Sequence, residues 1–205
     1  MGPMVMCGYV ISDHSREKLK AAGVKDSKML SPSQRKEISE KIKKLADDCV
    51  VLKISAKEID SLRTASNLNK IEIERMQEII NKTNPGRVII DAPESDTKSF
   101  RQKILKRVDN EGIEVITENF ADKNHPEVGA ASIIAKVARD EEIRKLHKAY
   151  GNFGSGYTSD ERTIRFLKDW IKLNKEFPDI VRKSWVTAEL MIKEKQQRKL
   201  YDFGK

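Results

Sequence analysis

The stretch from Val128 to Glu142, V-G-A-A-S-I-I-A-K-V-A-R-D-E-E, constrains the fold more than any other part of the chain. At about 100° per residue, Ala130, Ile133, Ile134 and Val137 fall on one face, so the spacing predicts an amphipathic helix laid on a core. Asp140 comes three residues after Val137 and seven after Ile133, which sets a carboxylate on the flank of that buried face. Two roles suit such an acid. One is an i,i+4 ion pair with Lys136 or Arg144, worth roughly 0.2–0.5 kcal/mol. The other is half of a cation site completed by an acid from a strand. Arg87-Val88-Ile89-Ile90-Asp91 supplies a candidate: a short apolar run after Pro85-Gly86 that ends in an acid, as a buried strand does where its C-terminal end opens on a site.

Around this pair the chain alternates strand and helix patterns. Met4 to Ile11 is apolar almost throughout, the pattern of a strand buried on both faces. Asp13 to Ala22 reads as a short helix closed by Gly23. Ser31-Pro32-Ser33-Gln34 is a capping box with proline at the first helical position, and it opens a helix to about Ala46. Cys49 to Ser55 alternates as a second strand, and Ser55 caps another short helix. Asn67 to Asn81 is amphipathic, Thr97 to Val108 reads as helix, and Ile113 to Thr117 as the next strand. After the Asp140 helix, which runs on to Tyr150, the loop Gly151 to Asp160 holds three glycines. Asp160 then caps a helix through Trp170, and Pro178 to about Leu200 adds one or two more. The pattern predicts an α/β core over residues 1–158 and a helical C-terminal lobe over 159–205.

The charge balance narrows the partners. Forty Lys and Arg against 32 Asp and Glu give a net charge of +8 and a pI near 9.3, the balance of a protein that meets a polyanion. Only Cys7 and Cys49 are present, without C-x-x-C spacing or a Cys/His cluster, so neither a disulfide framework nor a structural zinc site is indicated. No apolar run approaches a membrane span, and no basic stretch followed by an apolar one marks the N-terminus, which points to a cytoplasmic, membrane-free protein. The glycine loop lacks G-x-x-x-x-G-K-[ST] and follows a helix, and no G-x-G-x-x-G follows a strand, which disfavours an NTPase and a dinucleotide enzyme. His14, His125 and His147 are scattered. Asp91 and Asp140 are acids of the type and placement that two-metal phosphodiester chemistry needs, since hard Mg²⁺ or Mn²⁺ ions take oxygen ligands and sit about 3.5–4 Å apart. Glu94, Asp96 and Asp122 lie near in sequence, but their spacing selects none of them, and they read as solvated surface.

Five motifs stand in order along the chain: V-K-D-S-K (Val24 to Lys28), R-V-I-I-D (Arg87 to Asp91), A-A-S-I-I-A-K-V-A-R-D (Ala130 to Asp140), G-S-G-Y-T-S-D (Gly154 to Asp160) and V-R-K-S-W (Val181 to Trp185). In that order and spacing the chain resembles type 2 ribonuclease H, ribonuclease HII, and its archaeal members most. The resemblance implies a ribonuclease H-like mixed β-sheet flanked by helices with a helical C-terminal lobe. It also implies a monomer that cuts RNA endonucleolytically in RNA/DNA hybrids, or in DNA duplexes containing ribonucleotides, with Mg²⁺ or Mn²⁺. By motif position Asp91 resembles the family's metal-binding acid on the central strand, and Asp140 its helix-borne acid. Tyr157 resembles the tyrosine that stacks on the sugar at an RNA-to-DNA junction and helps sense the 2′-hydroxyl. Lys25 and Lys28 resemble the basic pair near the hybrid backbone.

Two departures from the family pattern matter. Asn119-Phe120-Ala121-Asp122 stands where members carry His-Lys-Ala-Asp. The family pattern also opens with a strand ending in Asp-Glu-Ala-Gly-Arg-Gly, upstream of what is here Gly2-Pro3, and that segment is not among residues 1–205. With it go two of the four acids, so weak or absent cleavage is expected. The alternatives are a non-catalytic nucleic-acid-binding protein on the same fold, and a metal-dependent nuclease of another specificity.

Overall fold

A computed structural model describes residues 1–24 and 30–203, with side chains as far as residue 197. In chain order the elements are β1 (Met4–Val10), α1 (Asp13–Ala21), α2 (Pro32–Lys43), β2 (Asp48–Ile54), α3 (Ala56–Arg63), α4 (Leu68–Thr83), β3 (Arg87–Asp91), α5 (Thr97–Leu105), β4 (Glu114–Glu118), α6 (Ala121–Asn124), α7 (Pro126–Tyr150), α8 (Glu161–Leu173) and α9 (Val186–Phe203). The chain divides into two compact units. One comprises Val5–Lys53 and Asn69–Ala138; the other comprises Met1–Met4, Ile54–Leu68 and Arg139–Lys205. In this division α3 and the second half of α7 belong with α8 and α9.

The first unit holds the strands, paired as β1 with β2 and as β3 with β4. β3 and β4 run parallel, in the register Arg87 opposite Glu114 through Asp91 opposite Glu118. β1 and β2 run antiparallel. Asp47 N–H donates to Val10 O at one end of the pair, and the free thiols of Cys7 and Cys49 meet at 3.7 Å further back, so one index falls as the other rises. Every residue of β1 is only half-buried, not enclosed on both faces as its apolar sequence predicts. The physical reason is an open cleft of about 730 Å³ along its free edge.

Two hydrophobic clusters hold this unit together. Leu19 of α1, Ile42 of α2 and the predicted α7 face of Ala130, Ile133, Ile134 and Val137 pack with Cys7, Tyr9, Cys49 and Val51 of β1 and β2. Ile73 and Ile80 of α4, Ile90 of β3, Phe100 and Ile104 of α5 and Val115 of β4 form the second. Each isoleucine so buried contributes roughly 1.5–3 kcal/mol relative to an exposed one. Local chemistry agrees with this packing: Ser31 and Gln34 exchange both bonds of the capping box at the start of α2, and Ser55 accepts the Glu58 N–H at the start of α3. Gly8 keeps β1 close to α4, because a β-carbon there would collide with Cγ2 of Ile79.

The second unit is helical, built on Ile143 of α7, Phe153, Leu167 and Ile171 of α8, Phe177, Val181 and Ala188 of α9. Residues 178–185 are not helical, although the sequence pattern allowed it. The Asp60 carboxylate on α3 takes the Lys183 N–H at 2.7 Å, the Ser184 N–H at 3.0 Å and the Ser184 hydroxyl at 2.6 Å. Those bonds fix the V-R-K-S-W segment as a tight turn, and α9 starts only at Val186.

Candidate active site

Parallel neighbours in a sheet bring their C-terminal ends to the same edge, where ligands of α/β proteins gather. Here the ends are Asp91 of β3 and Glu118 of β4. Asp91 is exposed at its strand end, and its Oδ1 accepts the N–H of Ala121 at 3.1 Å, which docks the single turn of α6 against β3. Asp122 is the next residue, half-buried, so this bond sets the turn that carries Asp122 against the end of β3. That corrects its reading as solvated surface. Glu94 and Asp96 are engaged otherwise: Glu94 pairs with Lys103 at 2.7 Å, and Asp96 caps α5 by accepting the Ser99 N–H.

The turn that delivers Asp122 is strained and braced. Phe120 adopts φ +60°, a left-handed conformation uncommon for a bulky side chain. Asn119 holds the turn by donating to Ala92 O and Glu94 O, both at 2.9 Å. His125 Nε2 and Glu118 Oε2 lie 3.0 Å apart on its far side. Where the family pattern has His-Lys, this chain thus uses asparagine as a brace and an exposed phenylalanine. The nearest cation in sequence, Lys123, lies over the Phe120 ring with its Nζ 4.9 Å from the centroid.

Asp140 stands on the part of α7 that belongs to the helical unit, 14 residues beyond Pro126, or about 21 Å of helix. Lys25 and Lys28 lie outside the described residues. Asp91 and Asp122 offer carboxylate oxygens, the right chemistry for Mg²⁺ or Mn²⁺. Among the described residues, however, no group of three or more His, Cys, Asp or Glu is arranged to hold a metal ion. Two acids fall short of the ligand set that keeps two dications together against their repulsion, so the donors present do not by themselves fit a two-metal centre.

The helical unit presents the tyrosine. Tyr157 is 52% exposed, and the Arg139 guanidinium lies over its ring, 3.9 Å from the centroid. Arg139 also donates to Ser155 O at 3.1 Å. The loop under the ring is fixed from below by Thr163, which is fully buried on α8. Its hydroxyl accepts the Gly156 N–H at 3.0 Å and donates to Phe153 O at 2.9 Å. Gly156 needs to be glycine, since it holds φ +77° and a β-carbon would stand 3.1 Å from Met1 O. Asp160 accepts the Ser155 N–H at 2.7 Å and pairs with Arg162; the Arg162 guanidinium first, then the backbone donors, holds its carboxyl well below the usual carboxylate range. Thr163→Val keeps the shape but strands the Gly156 donor and the Phe153 acceptor. The expected cost is about 1–3 kcal/mol, read as a fall in melting temperature of roughly 2–10 °C. An unchanged melting temperature would show that the loop does not depend on this clamp.

A parallel β-pair with acids at its C-terminal edge in an α/β unit, beside a helical unit in the same chain, has the elements of a ribonuclease H-like protein. The family model described as Ribonuclease HII matches residues 1–188. A relative named Ribonuclease HII from Methanothrix thermoacetophila is 42% identical over 190 residues, 92% of this chain and 90% of the relative. Among solved structures, ribonuclease H2 from Pyrococcus horikoshii OT3 aligns with a TM-score of 0.88 at 40% identity, covering 95% of this chain and 92% of that one. The ribonuclease HII of Archaeoglobus fulgidus, solved in a complex with PCNA, aligns at 0.86 and 38% identity, covering 93% and 90%. The chain belongs to the ribonuclease HII family, the type 2 ribonucleases H, and is an α/β nuclease of that class. No helix among the described residues is long and apolar enough to cross a membrane.

Proposed function

We propose that this protein is a cytoplasmic, monomeric endonuclease that cuts the RNA strand of RNA/DNA hybrids and of DNA containing ribonucleotides, with Asp91 and Asp122 supplying part of the oxygen ligands for Mg²⁺ or Mn²⁺. The observation that carries the reading is the Asp91 carboxylate at the end of the parallel strands, bonded to the α6 turn that carries Asp122. Asp91 keeps the role its motif implies. Asp122 takes the place beside it that the resemblance assigned to Asp140, because the Asp91–Ala121 bond draws α6 to β3. Asp140 stays a candidate on motif grounds alone. Tyr157, backed on one face by Arg139, offers an exposed ring to a sugar. With Lys25, Lys28 and the net charge of +8, it forms the substrate-binding part of the reading.

The two-acid set favours one further reading for residues 1–205, a hybrid-binding protein that cuts weakly or not at all. Mn²⁺-dependent cleavage of a labelled hybrid, measured beside gel-shift binding, separates the two. Binding is expected in either case, with an affinity that falls steeply as salt rises, because phosphate neutralisation releases counterions. Tyr157→Ala is expected to weaken preference for a substrate with an RNA-to-DNA junction more than affinity for plain duplex DNA. Equal losses on both would remove the junction role.

A further inference from the structure

Cys7 and Cys49 are the only cysteines of the chain. Although 42 positions separate them in sequence, their Sγ atoms lie 3.7 Å apart across the β1–β2 pair. Both thiols are free and both are half-buried. At that distance they share a hydrogen, and either sulfur can donate it. Leu19 of α1, Ile42 of α2, Tyr9 of β1 and Val51 of β2 pack around them, and the Tyr9 hydroxyl is tied to Ile42 O at 2.7 Å. The sulfurs therefore sit in a fixed setting, held by the packing of two strands and two helices.

Two buried thiols in an apolar core are ordinarily alike and inert. These two are unequal. The hydrogen bond from Cys7, and after it the Lys43 ammonium at the end of α2, hold the Cys49 thiol below its usual range against the opposing effects of burial and Asp48. The same hydrogen bond first, and burial next, push the Cys7 thiol up. Cys49 is thus the sulfur that ionises and attacks, and Cys7 the neighbour that keeps its proton until a partner sulfur is ready. A thiolate of lowered pKa beside a second cysteine is the arrangement that senses oxidants.

We propose that Cys7 and Cys49 form a reversible disulfide site, oxidised by a hydroperoxide and reopened by a dithiol, which ties β1 to β2 and closes the segment carrying α1 and α2 into a loop. The site is independent of the nuclease reading. In the first step the Cys49 sulfur attacks one peroxide oxygen: the S–O bond forms, the O–O bond breaks, and the other oxygen leaves as water or an alcohol with the proton that Cys49 gave up. Cys7 then attacks the Cys49 sulfur. The S–S bond forms, the S–O bond breaks, and hydroxide leaves as water with the Cys7 proton. The sulfurs together lose two electrons and the peroxide gains them. A disulfide is about 2.05 Å long, so the sulfurs have to approach by less than about 2 Å, a movement of side chains and not of strands.

Hydrogen peroxide added to residues 1–205 is the probe. The intact mass is expected to fall by two hydrogens, peptide mapping to find Cys7 joined to Cys49, and dithiothreitol to restore the starting mass. Bond formation in the folded protein should be at least about tenfold faster than in urea, because the fold holds the two thiols together. The oxidised form should melt roughly 5 °C or more above the reduced one, since the cross-link restricts the unfolded chain. Cys7→Ala should stop at a Cys49 sulfenic acid that dimedone captures, whereas Cys49→Ala should slow peroxide consumption by at least about tenfold. Far-ultraviolet dichroism shows that each variant is folded. A bond that forms as fast in urea as in the folded chain would overturn the proposal. So would a sulfinic acid on Cys49 with Cys7 still free, or cross-links that join separate chains in place of the internal one.

Discussion

Asp91→Asn and Asp122→Asn, each made in a form of the protein that cleaves an RNA/DNA hybrid, are expected to lower Mn²⁺-dependent cleavage by at least about a hundredfold, the scale on which disturbing a metal's ligand environment acts. Stability should move little. Asp91 is exposed, and asparagine keeps an oxygen to accept the Ala121 N–H at 3.1 Å, so the change in unfolding free energy should stay within about 1 kcal/mol. Asp140→Asn separates the two placements of the second acid. The α6 geometry expects it to cut within about tenfold of the parent, whereas the motif-based assignment expects a loss as deep as that of Asp91→Asn. A normal rate for Asp122→Asn together with a deep loss for Asp140→Asn would return the second acid to α7. The measurement is a single-turnover rate on one hybrid, with melting temperatures taken beside it to show that each variant is folded.

Much of the frame is legible in the sequence because its signals are local. Ser31 with Gln34, and Ser55 before Glu58, announce helix starts that depend on four residues and water-exposed backbone, and both caps form. The α7 face follows from a period of 3.6, and Ala130, Ile133, Ile134 and Val137 are all buried. What stays hidden depends on partners far apart in the chain. Asp122 looks like any polar residue until β3 and β4 are known to be parallel and adjacent, which places the end of one beside the end of the other across some 30 residues. The single turn of α6 is too short to show a period. The loss of helix over 178–185 reflects Asp60, more than 120 residues upstream. In each case the winning term is a tertiary hydrogen bond, and no window on the sequence contains both partners.

Extending the chain at its N-terminus with an apolar strand ending in Asp-Glu-Ala-Gly-Arg-Gly is expected to raise Mg²⁺- or Mn²⁺-dependent cleavage by at least about a hundredfold, or about 2.7 kcal/mol of transition-state stabilisation. A strand joined by a short connection to the start of β1 folds back antiparallel to it. Arg87 at the start of β3 pairs with Asp13 just past the end of β1, so a strand antiparallel to β1 in the cleft that both strands line would run parallel to β3. Parallel strands finish at the same edge. The new Asp-Glu therefore emerges beside Asp91 and Asp122, and the ligand set grows from two carboxylates to four, enough to hold two dications. Filling the cleft should also raise the melting temperature by roughly 4–10 °C, since it covers apolar surface and the free edge of β1. A control extension with Asn-Gln in place of Asp-Glu should give the rise in melting temperature without the cleavage. If that control cleaves as well as the acidic strand, the added acids are not metal ligands, and the gain comes from folding alone. If residues 1–205 cut robustly without any extension, and Asp91→Asn abolishes that cutting, other acids of this chain complete the site.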